Sequence, residues 1–256
     1  MSAPAIGLLG LGEAGSAIAT DLVAAGATVR GWDPVAVTPL GVEPARDERD
    51  AATGVDAILS LNSGSVAKAV AEATAPALES GQLFADLNTA APELKREVAE
   101  LAGDADFADV ALMAPVPGRG IRTPALVSGP AAERFAEIFG PLGMPVTALG
   151  DEVGEAAGRK LAQSVFTKGL AAAIGEALGA AEKLGCEPWL HDQIERTLTD
   201  ADGALLRRLI EGSRLHAGRR VGEMAAAAAM LEQLGVEPRV TNASGAWLRS
   251  LDGEVR

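Results

Sequence analysis

The sequence contains a single cysteine, Cys186, and no long hydrophobic run. One cysteine excludes an internal disulfide and any metal site built from several cysteine ligands. A membrane-spanning helix needs about 18 or more consecutive apolar residues, and the alanine tract Ala225–Ala229 is far shorter than that. We therefore expect a protein without a disulfide, a metal site or a membrane span.

Positive charge is also scarce. The 22 lysines and arginines are outnumbered by 35 aspartates and glutamates, which gives a formal net charge of −13. This charge disfavours nucleic acid or an anionic membrane as a partner, although a few basic side chains can still hold a small anion. The N-terminal residues Met1–Pro4 lack the basic and apolar segments of a secretory signal. We therefore expect a cytoplasmic protein.

The order of predicted elements divides the chain into two parts. Up to about residue 150, short apolar strands alternate with helical segments, as in a doubly wound, mostly parallel α/β sheet. Beyond that point the sequence predicts only helices, the longest from Glu152 to Leu184. We predict an α/β domain at 1–150 and an all-α domain at 151–256. Because the helices of the second domain are rich in alanine and glycine and carry much apolar surface, they favour a homodimer.

A glycine-rich turn follows the first predicted strand, Ala5–Leu9, and precedes a helical stretch at 16–25. A G-x-G-x-x-G motif between strand and helix, followed by a second strand and an acidic residue, is typical of a dinucleotide-binding fold. The first glycine permits the tight turn, the second lets backbone amides approach the pyrophosphate, and the third lets helix and strand pack. The predicted cofactor-binding residues of the turn are Gly10, Leu11, Gly12, Glu13, Ala14 and Gly15.

Asp33 closes the second predicted strand. A carboxylate at this position accepts hydrogen bonds from the adenosine ribose and repels a 2′-phosphate, so NAD is favoured over NADP. The dipeptide Asp33-Pro34 is also typical of a turn, and the two roles are compatible. Arg30 and Arg46 are the arginines that can approach a 2′-phosphate.

Polar residues follow two further predicted strands. Asn62 and Ser63 come after the strand at 55–61, and Asn88 and Thr89 come after the strand at 82–87. Because ligands of such sheets bind at the carboxyl ends of the strands, we expect all four on the cofactor side. Each is also a residue type suited to cap a helix.

Lys160 interrupts the apolar stripe of the long helix and shares one helical face with Ser164 and Thr167. One interpretation is a solvated lysine, as most are. The other is a lysine that faces the cofactor cleft.

Two further basic segments allow two interpretations each. Arg119, in the proline- and glycine-rich loop 114–120, either holds a carboxylate or phosphate or belongs to a plain connector. The cluster Arg214, His216, Arg219 and Arg220 is either a solvated face or a site for an anionic substrate or a partner subunit.

Together these segments resemble the β-hydroxyacid dehydrogenase family, which includes 3-hydroxyisobutyrate, tartronate semialdehyde and 6-phosphogluconate dehydrogenases. The glycine-rich turn, the segment 88–92, Asp109 with the loop Ala114–Gly118, and the segment 154–164 carry the resemblance. The segment 214–224 resembles a small helical domain of unassigned function found in a subset of these enzymes. In this sequence Pro117, Arg119 and Ser164 replace a serine, a glycine and an asparagine of the family pattern.

The resemblance implies an N-terminal Rossmann domain and reversible hydride transfer between NAD and a small, anionic, 3-hydroxy-acid-like substrate. It makes Lys160 the catalytic acid or base, which Ser164 can orient. The implied substrate contacts are Pro117, Gly118, Arg119, Thr167 and Lys168. Reduction of an imine or ketone on the same fold, or a non-catalytic module that senses the dinucleotide, are the alternatives.

Overall fold

The structure, a computed structural model, describes residues 3–254 and their side chains up to residue 251. It divides into two compact units, the first reaching Gln163 and the second beginning at Ser164. The division lies inside one long helix. Within the described residues, no helix combines the length and the hydropathy that a bilayer crossing requires.

The first unit contains an eight-stranded sheet in the order β3-β2-β1-β4-β5-β6-β7-β8. All neighbouring strands are parallel except β6 and β7, which are antiparallel. The strands are β1 (Ala5–Leu9), β2 (Thr28–Trp32), β3 (Glu43–Pro44), β4 (Ala57–Ser60), β5 (Leu83–Asp86), β6 (Asp106–Leu112), β7 (Ala125–Ser128) and β8 (Val146–Gly150). The predicted doubly wound, mostly parallel sheet is thereby confirmed.

Helices cover both faces of this sheet. They are α1 (Glu13–Ala24), α2 (Glu48–Ala52), α3 (Ala67–Thr74), α4 (Pro92–Leu101) and α5 (Ala132–Phe139). One hydrophobic cluster joins Leu8 and Val110 of the sheet to residues of α1 and α5, and a second joins Ile58 and Phe84 to residues of α2, α3 and α4. Because both faces of the sheet are buried, the central strands are continuous apolar segments in the sequence.

The long helix α6 (Glu155–Leu184) leaves the sheet unit and continues into the second unit. It begins three residues later than the sequence pattern predicts, directly after Gly154, which adopts a φ of +98°. That left-handed backbone conformation is accessible to glycine but not to most other residues, so it fixes where the helix starts. The sequence pattern also missed β3 and α2, which are too short to show a period.

The second unit is entirely helical, as predicted. Besides its share of α6 it contains α7 (Glu187–Thr199), α8 (Gly203–Leu215), α9 (Ala217–Gln233) and α10 (Arg239–Glu254). The Glu176 carboxylate of α6 accepts hydrogen bonds from the amides of Val240 and Thr241, both at 2.8 Å, and so caps α10. Burial by itself raises the pKa of Glu176, but these hydrogen bonds and one from the Thr241 hydroxyl outweigh it and lower the pKa.

Candidate functional site

The glycine-rich turn is shaped by two close approaches. Gly10 has a φ of +98°, and a methyl group on it would lie 2.2 Å from the carbonyl oxygen of Leu61. A methyl group on Gly15 would lie 1.9 Å from the carbonyl oxygen of Gly10. A methyl group on Gly12, in contrast, would meet no atom within 4 Å. The first and third glycines are therefore required by the fold, whereas the second borders open space.

That space is a cavity of about 390 Å³ at the carboxyl ends of β1, β2 and β4. It is lined by Gly10, Gly12, Glu13, Ala14, Gly15, Asp33, Pro34, Leu61, Asn62, Ser63 and Val66. The N-terminus of α1 is one of its walls, and no side chain of the described residues caps that helix. Uncapped amides at a helix N-terminus bind phosphate groups. The cavity therefore fits the pyrophosphate of a dinucleotide.

Asp33 holds the turn and borders the same cavity. Its Oδ2 accepts a hydrogen bond from the Leu11 amide, and its Oδ1 accepts from the amides of Val35 and Ala36, all at 2.8 Å. Burial raises the pKa of the Asp33 carboxyl, but these three hydrogen bonds outweigh it, so the pKa lies below its usual value. Asp33 thus carries a negative charge and forms the Asp-Pro turn, and Oδ2 keeps a lone pair for a ribose hydroxyl.

The two arginines near this strand are held by other groups. Arg30 donates to the carbonyl oxygens of Asp50 and Thr53 and pairs with Glu43 at 3.4 Å. Arg46 pairs with Asp50 at 3.1 Å, and its hydrogen bonds lower the pKa of Asp50 to about 2. Both guanidinium groups thus pair with carboxylates, and neither arginine is among the residues that line the cavity.

The four polar residues after β4 and β5 differ in exposure. Asn62 lines the cavity and is half-buried, while Ser63 and Thr89 are exposed. Asn88 is only 2% exposed, and its side chain accepts a hydrogen bond from the Asn62 amide and donates one to Ser60 Oγ at 3.1 Å. Asn88 therefore supports the wall of the cavity from behind.

Four buried polar residues lie side by side across the sheet, and the sequence had not suggested this. Ser60 pairs in register with Asp86, Asp86 with Asp109, and Asp109 with Ser128. The ammonium group of Lys95, from α4, lies 3.1 Å from Asp86 Oδ2 and 3.2 Å from Asp109 Oδ1. All five side chains are at most 1% exposed. We call Ser60, Asp86, Asp109, Ser128 and Lys95 the polar row.

The polar row also holds the beginning of α6. Asp109 Oδ2 accepts hydrogen bonds from the amides of Gly154 at 3.2 Å and Ala157 at 3.0 Å, and Ser128 Oγ accepts one from Ala156 at 3.0 Å. The resemblance grouped Asp109 with the substrate loop, but the residue lies buried inside β6 instead. Its carboxylate thus serves as the cap of the helix that bears Lys160.

Lys160 lies one helical turn beyond Ala156 and is half-buried, like Ser164. Lys160 comes three and four residues after Ala157 and Ala156, whose amides the polar row holds. Thr167 and Lys168, farther along α6, are exposed.

The loop between β6 and β7 exposes Pro117, Gly118 and Arg119. It is fastened to α1, because the Asp21 carboxylate accepts a hydrogen bond from the Ile121 amide at 2.9 Å. This hydrogen bond holds the loop to α1 two residues after Arg119.

A Rossmann sheet, a glycine turn that leads into a helix without a side-chain cap, and an acidic residue directly after β2 are together the features of a dinucleotide-binding protein. The model of the NAD binding domain of 6-phosphogluconate dehydrogenase matches residues 5–149, and a domain of unknown function, DUF1932, matches residues 181–251. The first match covers more than half of the chain, so the protein belongs to the 6-phosphogluconate dehydrogenase-like family. The resemblance seen in the sequence is confirmed.

Solved structures share this fold. A conserved hypothetical protein from Sinorhizobium meliloti 1021 is 31% identical, with a TM-score of 0.63, over 97% of this chain and 88% of that one. The conserved protein MTH1747, described as structurally similar to 3-hydroxyacid dehydrogenases, is 25% identical with a TM-score of 0.63, over 97% and 98% of the chains. An imine reductase from Myxococcus stipitatus in complex with NADP⁺ is 21% identical with a TM-score of 0.82, over 98% and 95%.

Proposed function

We propose that this protein is an NAD-dependent oxidoreductase that transfers a hydride between the cofactor and a small 3-hydroxy-acid-like substrate, with Lys160 as its general acid and base. The observation that carries the proposal is the anchoring of the first turn of α6 to the polar row by Asp109 and Ser128. This anchoring supports a fixed lysine beside the carboxyl ends of the strands, where ligands of such sheets bind.

In the oxidative direction, the neutral amine of Lys160 accepts the proton of the substrate hydroxyl while the adjacent carbon becomes a carbonyl. The bound cofactor supplies the acceptor for the hydride that leaves this carbon. In the reductive direction, the Lys160 ammonium returns the proton to the carbonyl oxygen. Ser164, one turn farther along α6, orients the amine or the substrate hydroxyl through its own hydroxyl group.

The preference for NAD rests on charge. Asp33 is ionised beside the cavity, and a 2′-phosphate next to it would be repelled. The guanidinium groups of Arg30 and Arg46, which could offset that repulsion, pair with Glu43 and Asp50 instead. Binding of NADH should therefore be tighter than binding of NADPH.

An anionic substrate is supported by the loop between β6 and β7. The exposed guanidinium group of Arg119 can donate two parallel hydrogen bonds to one carboxylate, in a bidentate pair. Pro117 and Gly118 on the same loop, and Thr167 and Lys168 on α6, are the further proposed substrate contacts.

Reduction of an imine or ketone is the second candidate function. Pro117 provides no hydroxyl for a carboxylate substrate, and this favours a more apolar compound. The fold is also shared with an imine reductase. In this case a proton on the imine nitrogen need not come from Lys160, so turnover should survive replacement of the lysine.

One experiment separates these functions. Wild-type protein, Lys160→Met and Lys183→Met are assayed with NAD⁺ and a panel of 3-hydroxy acids, and with NADH and cyclic imines. Lys183 is an exposed lysine in the last turn of the same helix and serves as the matched control. We expect Lys160→Met to bind NADH normally but to lose hydroxy-acid oxidation about 10²-fold or more, the size of effect typical of general acid–base catalysis.

Three other outcomes of these assays would lead to different conclusions about the function. Unchanged hydroxy-acid turnover in Lys160→Met removes Lys160 from the mechanism. Imine reduction that persists in Lys160→Met supports the second candidate function. NADH binding by the wild-type protein without turnover of any compound supports the dinucleotide-sensing alternative.

A further inference from the structure

We propose that the polar row is a positioning device, in which Asp109 and Ser128 set the direction of Lys160 relative to the cofactor cavity. This inference rests on the proposed function for the role of Lys160. It assigns a task to five buried residues of which none lines the cavity.

The composition of the polar row argues against stabilisation as its main purpose. Two carboxylates and one ammonium group are fully buried, and Lys95 also donates a hydrogen bond to the Asp86 carbonyl oxygen at 2.7 Å. Burying such groups removes their hydration, and apolar residues of similar volume often stabilise a core at least as well. Charged groups instead fix the relative orientation of the elements they join, because each hydrogen bond restricts an angle as well as a distance.

At one end, the polar row sets the rotation of α6 about its axis. Asp109 Oδ2 binds the amides of Gly154 and Ala157, and Ser128 Oγ binds the intervening amide of Ala156 while donating to Asp109 Oδ2 at 3.3 Å. Acceptors on two strands thus hold the amides of residues 154, 156 and 157, and these three contacts define the orientation of the first turn. Since Lys160 lies three residues after Ala157, its direction from the helix follows from that orientation.

At the other end, the polar row reaches the wall of the cofactor cavity. Asp86 Oδ1 accepts a hydrogen bond from the Asn88 amide at 3.0 Å and a second from the Asn88 side chain. The side-chain oxygen of Asn88 accepts from the Asn62 amide, and Ser60 Oγ accepts from both asparagine side chains. A continuous set of polar contacts therefore joins Asn62, which lines the cavity, to the first turn of α6.

The two negative charges of the polar row are balanced by Lys95 and by the N-terminus of α6. Lys95 offsets one of the two carboxylates, and the positive N-terminal end of α6 faces the other at Asp109. A neutral side chain at Asp109 keeps the shape of the site but weakens this attachment. Substitutions in the polar row should therefore loosen the start of α6 before they disturb the sheet.

The test compares Ser128→Ala with Thr74→Val. Both remove one buried hydroxyl, but Thr74 lies on α3 outside the polar row, and its hydroxyl donates to the Val70 carbonyl oxygen of the same helix. Hydrogen exchange of the amides at 154–157, the dissociation constant for NADH and the turnover of the hydroxy acid found active with the wild-type protein are measured for each. Asp109→Asn is measured in the same way.

We expect amides 154–157 to exchange about tenfold faster in Ser128→Ala and Asp109→Asn than in Thr74→Val, which corresponds to the loss of about one hydrogen bond. The kcat should fall about 10²-fold, as expected for a misplaced catalytic group. The dissociation constant for NADH should change less than about twofold, because the amides that bind phosphate are untouched.

Two results would overturn the inference: exchange at 154–157 that matches the Thr74→Val control, or a kcat no lower than in that control. Failure of the proposed function gives a different pattern, because turnover then survives in Lys160→Met. The exchange rates of amides 154–157 still report on the polar row in that case.

Discussion

The carboxylate of Asp109 accepts a hydrogen bond of 3.0 Å from the amide of Ala157, 48 positions later in the chain. One residue lies inside a buried strand and the other in the first turn of α6. Through this contact the sheet that forms the cavity also holds the first turn of the helix that bears Lys160.

Replacement by alanine should weaken cofactor binding at Gly12 but protein stability at Gly15. A methyl group on Gly12 points into the open cavity, and the φ of Gly12 is −62°, which alanine tolerates. We expect Gly12→Ala to fold normally and to bind NADH at least about tenfold more weakly, because the methyl group occupies the space of the pyrophosphate. Gly15→Ala should lower the free energy of unfolding by about 3 kcal/mol, because the added methyl group clashes with the Gly10 carbonyl oxygen. Thermal unfolding and NADH fluorescence titration measure both effects.

Asp33 should control the choice between NADH and NADPH. In Asp33→Asn the charge is lost, and an amide nitrogen cannot accept the hydrogen bond from Leu11. We expect NADH to bind about tenfold more weakly, and the ratio of the NADPH to the NADH dissociation constant to fall. Arg46→Gln is the control and should leave that ratio unchanged, since Arg46 is paired with Asp50. A wild-type protein that binds NADPH more tightly than NADH would contradict the proposal.

Glu176 should make the stability of the helical unit depend on pH. Its pKa is lowered in the folded protein, so its contribution to stability is present above the unfolded-state pKa and is lost as the pH falls through the folded-state pKa. We expect Glu176→Gln to cost about 1 kcal/mol at pH 7, as for other helix caps. The difference from wild type should shrink below the ordinary glutamate pKa of 4.5. Urea unfolding from pH 7 to pH 3 measures it, and a pH-independent difference would refute it.

Glu182→Gln is the control for this experiment. Glu182 is an exposed residue on the same helix. Its replacement should change the unfolding free energy by less than about 0.5 kcal/mol at every pH.

The protein should be a homodimer. The second unit exposes large apolar side chains, among them Val165 (77% exposed), Phe166 (68%) and Trp189 (62%). Exposed apolar groups of this size favour association. Light scattering should give twice the mass of the chain, and Phe166→Glu should shift the protein toward the monomer. A single-chain mass for the wild type at micromolar concentration would exclude this prediction.

Local patterns explain what could be predicted from the sequence. The glycine turn, its flanking strands and Asp33 lie within one short stretch, where residue type and spacing determine the backbone. The switch from strands to helices is visible for the same reason. The later start of α6, in contrast, follows from the left-handed backbone of Gly154, and the spacing of apolar residues does not reveal a backbone angle.

The polar row depends on contacts between distant parts of the chain. Lys95 is one of several charged residues on the short helix α4, and Asp86 and Ser128 simply end buried strands. Only the register of four strands brings these residues together. The signal in the sequence is charge within apolar surroundings: Asp86 and Asp109 lie in apolar strands, and Lys95 shares a helical face with Val98. A buried charge of this kind requires a partner.

The central claim is that the Lys160 amine faces the reactive carbon of the bound nicotinamide. A crystal structure of the protein with NADH and a substrate analogue tests it most directly. We predict that the pyrophosphate lies against Gly12 and that a single small molecule separates the Lys160 Nζ from the nicotinamide ring. A structure in which that amine points into bulk solvent, away from the ring, would contradict the claim.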